Sequence, residues 1–256
     1  MRLDPDWLVP DWRVPGVGAV MTTRRGGTSA APFASMNLQP GADDPGAVAA
    51  NQALLEEAIG ARPVYLEQVH GDGVVRLTLA EAAPASAPPI ADAAVTTEPG
   101  LACTVRVADC LPVLFAAPGA RGVAAAHAGW RGLAAGVLER TVAALCEAAG
   151  CAPRELKAWL GASIGLARFQ VGADVLNAFG AAASAPGARF VPDQPGRWLA
   201  DLPGLARDRL RAAGVQSIGG GGWCTVDDSE RFFSFRRDRI TGRMAALAWI
   251  DADRRH

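Results

Sequence analysis

Histidine is scarce in this chain: three in 256 residues, at positions 70, 127 and 256. Chemistry that needs imidazole therefore rests on His70 and His127, because a chain-terminal residue is poorly placed for a rigid site. The five cysteines (Cys103, Cys110, Cys146, Cys151 and Cys224) are odd in number and form no CxxC pair. That argues against a disulfide framework and against a structural zinc ribbon. Neither charge sign is in excess: 25 basic and 26 acidic residues leave a formal net charge of −1. Nothing electrostatic points to nucleic acid or an anionic membrane as partner. No apolar run approaches the roughly 18–20 residues that cross a bilayer, and the opening MRLDPDWLVPDWRVPG breaks with prolines and acids the apolar stretch a secretion signal needs. The expectation is a cytoplasmic protein. With charge near zero and no apolar stripe, it is also expected to be a monomer.

Half of the residues are hydrophobic, enough for a sizeable core, although much of that fraction is alanine. GVGAVMTT (16–23) reads as a buried strand. Asp44 caps a helix with Pro45 in its first turn, and Gly60 closes it. Pro63 to Val69 reads as a strand, His70 to Gly73 as a turn and VVRLTL as the returning strand, with EAAPASAPPIAD (81–92) as a loop. AAVTT, ACTVRV, PVLFAA, GVAAAH, KAWLGASIG, QSIGGGGWCT and MAALAWI are further strand segments. Helices are expected from about Leu133 to Ala149, near 172–180 and near 202–213. Strands and helices mix without a strict βαβ rhythm. The expected architecture is thus one α/β (α+β) domain over residues 1–256, built of layered mixed β-sheets flanked by helices. The run Gly219 to Gly222 lacks the strand–GxGxxG–helix context of a dinucleotide site and implies no such cofactor.

His70 lies in the turn between two strand segments, Cys110 in the break before Leu111-Pro112, and His127 where an apolar strand ends before Gly-Trp-Arg-Gly. Strand ends and turns hold side chains firmly while leaving them reachable. Spacing alone leaves three readings open. The residues are an exposed turn histidine, a core histidine and a small buried thiol; or Cys110 is a nucleophile activated by His127 without metal; or the three bind one ion. Two imidazoles and a thiolate suit zinc at about 2.0–2.3 Å, with a fourth position left for water or substrate, as in catalytic sites. Asp109 or Asp72 is positioned in sequence to orient a ligand.

The wording around these residues is more specific. LEQVHG (66–71), ADCLPVLF (108–115) and AAAHAGWRGL (124–133) closely resemble the signature blocks of the YfiH-like family. Its members are variously called multicopper polyphenol oxidase (laccase) domain proteins, peptidoglycan editing factors and purine nucleoside phosphorylases. TTRRGGTS, SMNL, LGASIG, FQVGADV and CTVDDSERFFSFRRDRITGRMA match further blocks in the family's order. The resemblance implies a layered α/β domain in which His70, Cys110 and His127 bind zinc and carry catalysis. The activities implied are phosphorolysis of adenosine, inosine, guanosine and methylthioadenosine and hydrolytic deamination of adenosine, with nucleoside and phosphate as small-molecule partners. Copper at the same three ligands is possible on ligand chemistry, but a multicopper oxidase holds several coppers mostly through imidazole, and two usable histidines cannot supply them.

On the family's T-R-x-G-G block falls Arg24, the expected phosphate or substrate arginine, since guanidinium offers a planar fork of donors. Asn37 and Gln68 are expected to hydrogen-bond base or ribose, with structural roles as the alternative. Arg131 either binds an anion or stitches the turn to the helix start, the second being the simpler reading, and Arg236 and Arg237 read as salt-bridge partners of Asp238. The chain departs from the family's usual residues at Ala162 and Leu166 (proline), Gln170 (glutamate) and Phe235 (tyrosine), which bears on substrate preference. Two rival functions remain: a metal-free Cys/His hydrolase, in one version acting on peptidoglycan precursors, and a non-catalytic editing accessory.

Overall fold

A computed structural model describes residues 3–80, 82 and 87–252. The terminal His256 and part of the Pro/Ala/Ser loop expected at 81–92 lie outside the described residues. In chain order the elements begin with β1 (Val17–Met21), α1 (Pro45–Ile59), β2 (Arg62–Tyr65), β3 (Val74–Arg76), β4 (Ala93–Thr96), β5 (Leu101–Val107), β6 (Leu111–Ala116) and β7 (Val123–Ala128). They continue with α2 (Trp130–Ala135), α3 (Val137–Ala149), β8 (Lys157–Leu160), β9 (Gln170–Val171), α4 (Ala173–Ala178), β10 (Phe190–Pro192) and β11 (Trp198–Ala200). The last are α5 (Leu202–Ala212), β12 (Ser217–Gly220), α6 (Phe235–Asp238) and β13 (Met244–Ile250).

Strands alternate their side chains between two faces, and here both faces of the main sheets are buried, which is why the strands read as unbroken apolar runs. A four-stranded sheet, β1-β13-β5-β2, lies against a six-stranded sheet, β12-β8-β6-β7-β4-β3. Between them pack Met244, Ala246 and Ala248 of β13, Cys103 and Val105 of β5, Leu114 of β6 and Trp159 of β8. The alternate residues of the same strands face outward. Leu247 and Trp249 meet Leu55 and Ile59 of α1, while Val113 and Phe115 meet Leu138, Val142 and Leu145 of α3. Each large side chain fully buried in these layers contributes roughly 1.5–3 kcal/mol. A small third sheet, β10-β11-β9, attaches at one side. The layered, mixed α/β architecture is the one the sequence implied.

Helix ends follow the residues that signal them. The Asp44 carboxylate accepts from the Ala47 N–H at 2.8 Å to start α1, and Gly60, at φ 64°, ends it. The helix expected from about Leu133 differs: it begins at Trp130 and breaks at Gly136, whose φ of 103° closes α2 and opens α3. The expected hairpin between Pro63 and Leu79 also differs. β2 pairs in parallel with β5 in one sheet and β3 in parallel with β4 in the other. The segment bearing His70 is therefore a crossing between the two sheets and lies at the open edge of the sandwich. Among the described residues no helix is long and apolar enough to cross a membrane.

Candidate metal centre

The register of β6 on β7 brings two of the three candidate ligands together. Pro112 faces His127 and Leu111 faces Ala128, so Cys110, one residue before β6, is carried to the end of β7. His127 continues the row of Val123 and Ala125 that points between the sheets. The crossing loop adds His70, whose ring meets that of His127 edge-on with centroids 4.8 Å apart. The ligand atoms of His70, Cys110 and His127 all lie within 4.8 Å of one another. His127 is buried, Cys110 half-buried and His70 exposed, so the cluster is reached from the His70 side.

The loop is held by a residue that the sequence reading missed. Asp92, fully buried, accepts the backbone N–H groups of Val69, His70 and Gly71 at 3.2, 2.9 and 2.6 Å. It also meets His127 Nδ1 at 2.8 Å. Burial opposes its ionisation, but the bonds to His127 and Gly71 outweigh burial and keep the carboxyl below its usual range. A carboxylate only accepts, so His127 carries its proton on Nδ1 and turns Nε2 toward the cluster. Asp72 pairs with Arg140 at 2.8 Å, and Asp109 accepts from the Thr225 hydroxyl and the Arg236 N–H, both at 2.6 Å. Neither hydrogen-bonds a side chain of the cluster among the described residues; Asp92 does.

Burial also disfavours the Cys110 thiolate, yet the charge and hydrogen bonds of His127, with His70, bring the thiol down to about 6. For His127 burial works against the cation, and Cys110 and then Asp92 raise the ring to about 9. Without an ion the pair is thus a thiolate beside an imidazolium; an ion bound at Nε2 takes the place of that proton and leaves the thiolate and neutral imidazole that ligate metals. No side chain intervenes: a Cβ on Gly129 would sit 3.0 Å from Cys110 Sγ and 3.3 Å from His70 Cδ2. This donor set fits a borderline-soft ion.

The cluster opens on a cavity of about 690 Å³, a size suited to a small molecule. Trp130, Phe169 and Phe235 supply apolar wall, and Arg106, Arg131, Arg236, Arg239 and Arg243 supply charge. Non-glycine residues with positive φ concentrate here. His70 (61°), Asp109 (88°) and Arg239 (62°) all line the cavity, and such strain gathers at functional sites.

Of the expected substrate residues, Gln68 reaches the cavity, but its amide is spent on the backbone of Arg106, donating to O at 2.9 Å and accepting from N at 2.8 Å. Asn37 is buried and structural, donating to Asp43 at 2.9 Å and accepting the Arg243 N–H at 2.9 Å. Arg24 does not line the cavity. Its guanidinium donates to the carbonyls of Ala34 and Ser229 at 2.9 and 3.0 Å and covers the Phe233 ring at 4.8 Å. Arg24→Gln is therefore expected to lower stability by about 1–2 kcal/mol while leaving the KM of any substrate unchanged, checked by urea unfolding beside steady-state kinetics.

Arg237 pairs with Asp238 at 2.8 Å as expected. Arg236 does not; it reaches the carbonyls of Arg168 and Gln170 at 3.4 and 3.3 Å. Arg131 stacks on Trp130 at 4.4 Å but faces the cavity too. Among the four departures from the family's usual residues, Phe235 lines the cavity and Ala162, Leu166 and Gln170 do not.

Fold and site together define a layered α/β protein with a His–Cys–His cluster, able to hold a metal, at the rim of a cavity. Residues 18–251 match the family described as multi-copper polyphenol oxidoreductase laccase. A purine nucleoside phosphorylase of Pseudomonas aeruginosa is 50% identical over 247 residues, covering 95% of this chain and 98% of its own. Purine nucleoside phosphorylase YfiH of Escherichia coli is 45% identical with the same coverage, 95% and 98%. Among solved structures, a Neisseria meningitidis protein is 43% identical with a TM-score of 0.88, covering 96% of this chain and 100% of its own. YlmD from Geobacillus stearothermophilus is 33% identical with a TM-score of 0.89, covering 98% of each. The chain belongs to this YfiH-like, laccase-described family.

Proposed function

We propose that this protein is a cytoplasmic, zinc-dependent purine nucleoside phosphorylase that acts on adenosine, inosine, guanosine and methylthioadenosine and also deaminates adenosine. The observation that carries the reading is the convergence of His70, Cys110 and His127 within 4.8 Å on a cavity lined by aromatic rings and arginines. The names of the relatives support it. Zinc bound by these donors supplies Lewis acidity beside the substrate. Asp92 fixes the tautomer of His127 and the path of the His70 loop. Trp130, Phe169 and Phe235 supply apolar wall beside a purine, and the arginines supply positive charge for an anionic co-substrate. Several coppers have no place here, because three histidines in the whole chain cannot furnish the imidazoles they need.

A second reading has a specific observation in its favour. A Cys110 thiol brought down to about 6 beside a His127 raised to about 9 is also the pattern of a thiolate–imidazolium nucleophile. Metal analysis of the purified protein, with phosphate-dependent base release from inosine, separates the two in wild type, Cys110→Ser and His127→Ala. Loss of metal and of activity together in both variants is expected. A metal-free wild type that turns over fully assigns the site to the dyad, and stoichiometric metal without turnover of any nucleoside rejects the phosphorylase.

A further inference from the structure

The arginines of the cavity are not all alike. Five guanidiniums line it against two carboxylates, Glu67 and Asp109, and Asp109 is already engaged by Thr225 and Arg236. None of the five forms an ion pair with a carboxylate among the described residues; the arginines that do are elsewhere. A concave surface with this imbalance concentrates anions. Three of the five have work within the fold. Arg106 donates to the Leu66 carbonyl at 3.0 Å, Arg236 reaches two carbonyls, and Arg131 lies on Trp130.

Arg239 and Arg243 differ. Each guanidinium lies 5.7 Å from the centroid of one ring, Phe235, an arrangement that restrains the planes while leaving N–H edges free. The Arg239 guanidinium has no hydrogen-bond partner among the described residues, and its backbone sits at φ 62°, ψ −58°, a conformation that strains any side-chain-bearing residue. Arg243 spends Nη1 on the carbonyls of Thr241 and Gly242 at 3.2 and 3.0 Å, and Asn37 holds its backbone N–H. Its Nε and Nη2 are unengaged among the described residues; burial lowers its pKa, while the neighbouring Cys110 and Asp109 favour its charged form. An arginine held by its backbone and one edge, beside the metal cluster, with its other edge free, is a preorganised anion clamp.

The geometry points to Arg239 and Arg243, together on Phe235, as the seat of inorganic phosphate and of the phosphate of the pentose 1-phosphate product. This rests on the phosphorolysis reading and assigns to this pair the role expected of Arg24. In the reaction a phosphate oxygen forms a bond to C1′ as the C1′–N bond breaks. The electron pair leaves on the base nitrogen, which receives the proton of hydrogen phosphate.

The test uses the full-length, metal-loaded protein and two readouts. Phosphate binding without nucleoside is measured by calorimetric titration at fixed ionic strength, and the phosphate dependence of inosine cleavage is measured alongside. Arg239→Gly and Arg243→Gln are each expected to weaken phosphate binding about tenfold and to raise KM for phosphate by a like factor, with kcat at saturating phosphate falling less than about threefold. Arg239→Gly also relieves the backbone strain, so its melting temperature is expected to hold or rise, which a merely structural arginine would not produce. It carries the test even if Arg243→Gln folds poorly. Unchanged phosphate affinity and KM in Arg239→Gly overturn the seat, as does a wild type that cleaves inosine without saturable phosphate binding. If wild type binds phosphate, the variants do not, and no nucleoside is cleaved, the seat stands and the phosphorolysis reading falls.

Discussion

Asp92→Asn is expected to lower metal affinity about 100-fold and unfolding free energy by about 3 kcal/mol, measured by competition with a chromophoric chelator and by urea unfolding of the metal-free protein. The size follows from how much one carboxylate does. It accepts three consecutive backbone N–H groups, from Val69, His70 and Gly71, and faces Nδ1 of His127. An asparagine of the same shape has one accepting oxygen and an NH2 that must face donors, so at least one buried N–H loses its partner. The loop then loosens around His70, and His127 loses the acceptor that holds Nε2 toward the cluster. The acid limb of stability should change as well. Asp92 is held below its usual pKa when folded, so its contribution is fully present above the ordinary carboxylate range and is lost as pH falls through the lowered value. The variant lacks this titration, and its metal-free stability should fall less steeply with acid than wild type does. Equal metal affinity in the variant would show that Asp92 serves the fold alone.

The three candidate ligands, which the fold brings together, stood out because each sits in a short block whose wording is distinctive, and the strands around Cys110 and His127 are unbroken apolar runs with clear ends. Asp92 was not. It is 22 residues from His70 and 35 from His127, follows a low-information Pro/Ala/Ser stretch, and acquires its role only when β4 pairs with β7, Ala93 opposite Ala126. The failed hairpin has a similar cause. Local pattern marks two strand segments around a turn, but which sheet each joins is decided by long-range pairing, with β5 for one and β4 for the other. Arg24 was misplaced because a motif match carries residue identity and not direction; two carbonyls turn its guanidinium away from the cavity. The sheet of β9, β10 and β11 escaped because strands of two or three residues carry too few alternations to read. The break at Gly136 was missed as well: one helix was expected from about Leu133 to Ala149, and a lone glycine inside a helical pattern does not by itself show the φ of 103° that divides α2 from α3.

Gly132→Ala should be destabilising although it replaces glycine by the best helix former. In an exposed helix that exchange gains up to about 1 kcal/mol. Gly132 lies buried in α2, and a Cβ there would stand 2.5 Å from the Gly71 carbonyl oxygen and 3.6 Å from that of His127. The first distance is far inside contact and the obstacle is backbone, so either α2 or the crossing loop must move. Overpacking of this kind costs about 1–3 kcal/mol, enough to cancel the helical gain and reverse its sign. The functional cost is expected to be larger than the stability cost. Gly71 follows His70 directly, and its N–H is the one nearest Asp92 at 2.6 Å. A loop displaced by the methyl group therefore carries His70 out of register with Cys110 and His127, and metal ligands tolerate misplacement of only about 0.5 Å. Metal affinity should fall about tenfold or more, seen as a smaller rise in melting temperature on adding zinc to the variant than to wild type. If the metal-free variant melts lower while the zinc-induced rise stays the same, α2 yields and the loop does not, and the contact of Gly132 with Gly71 serves packing alone.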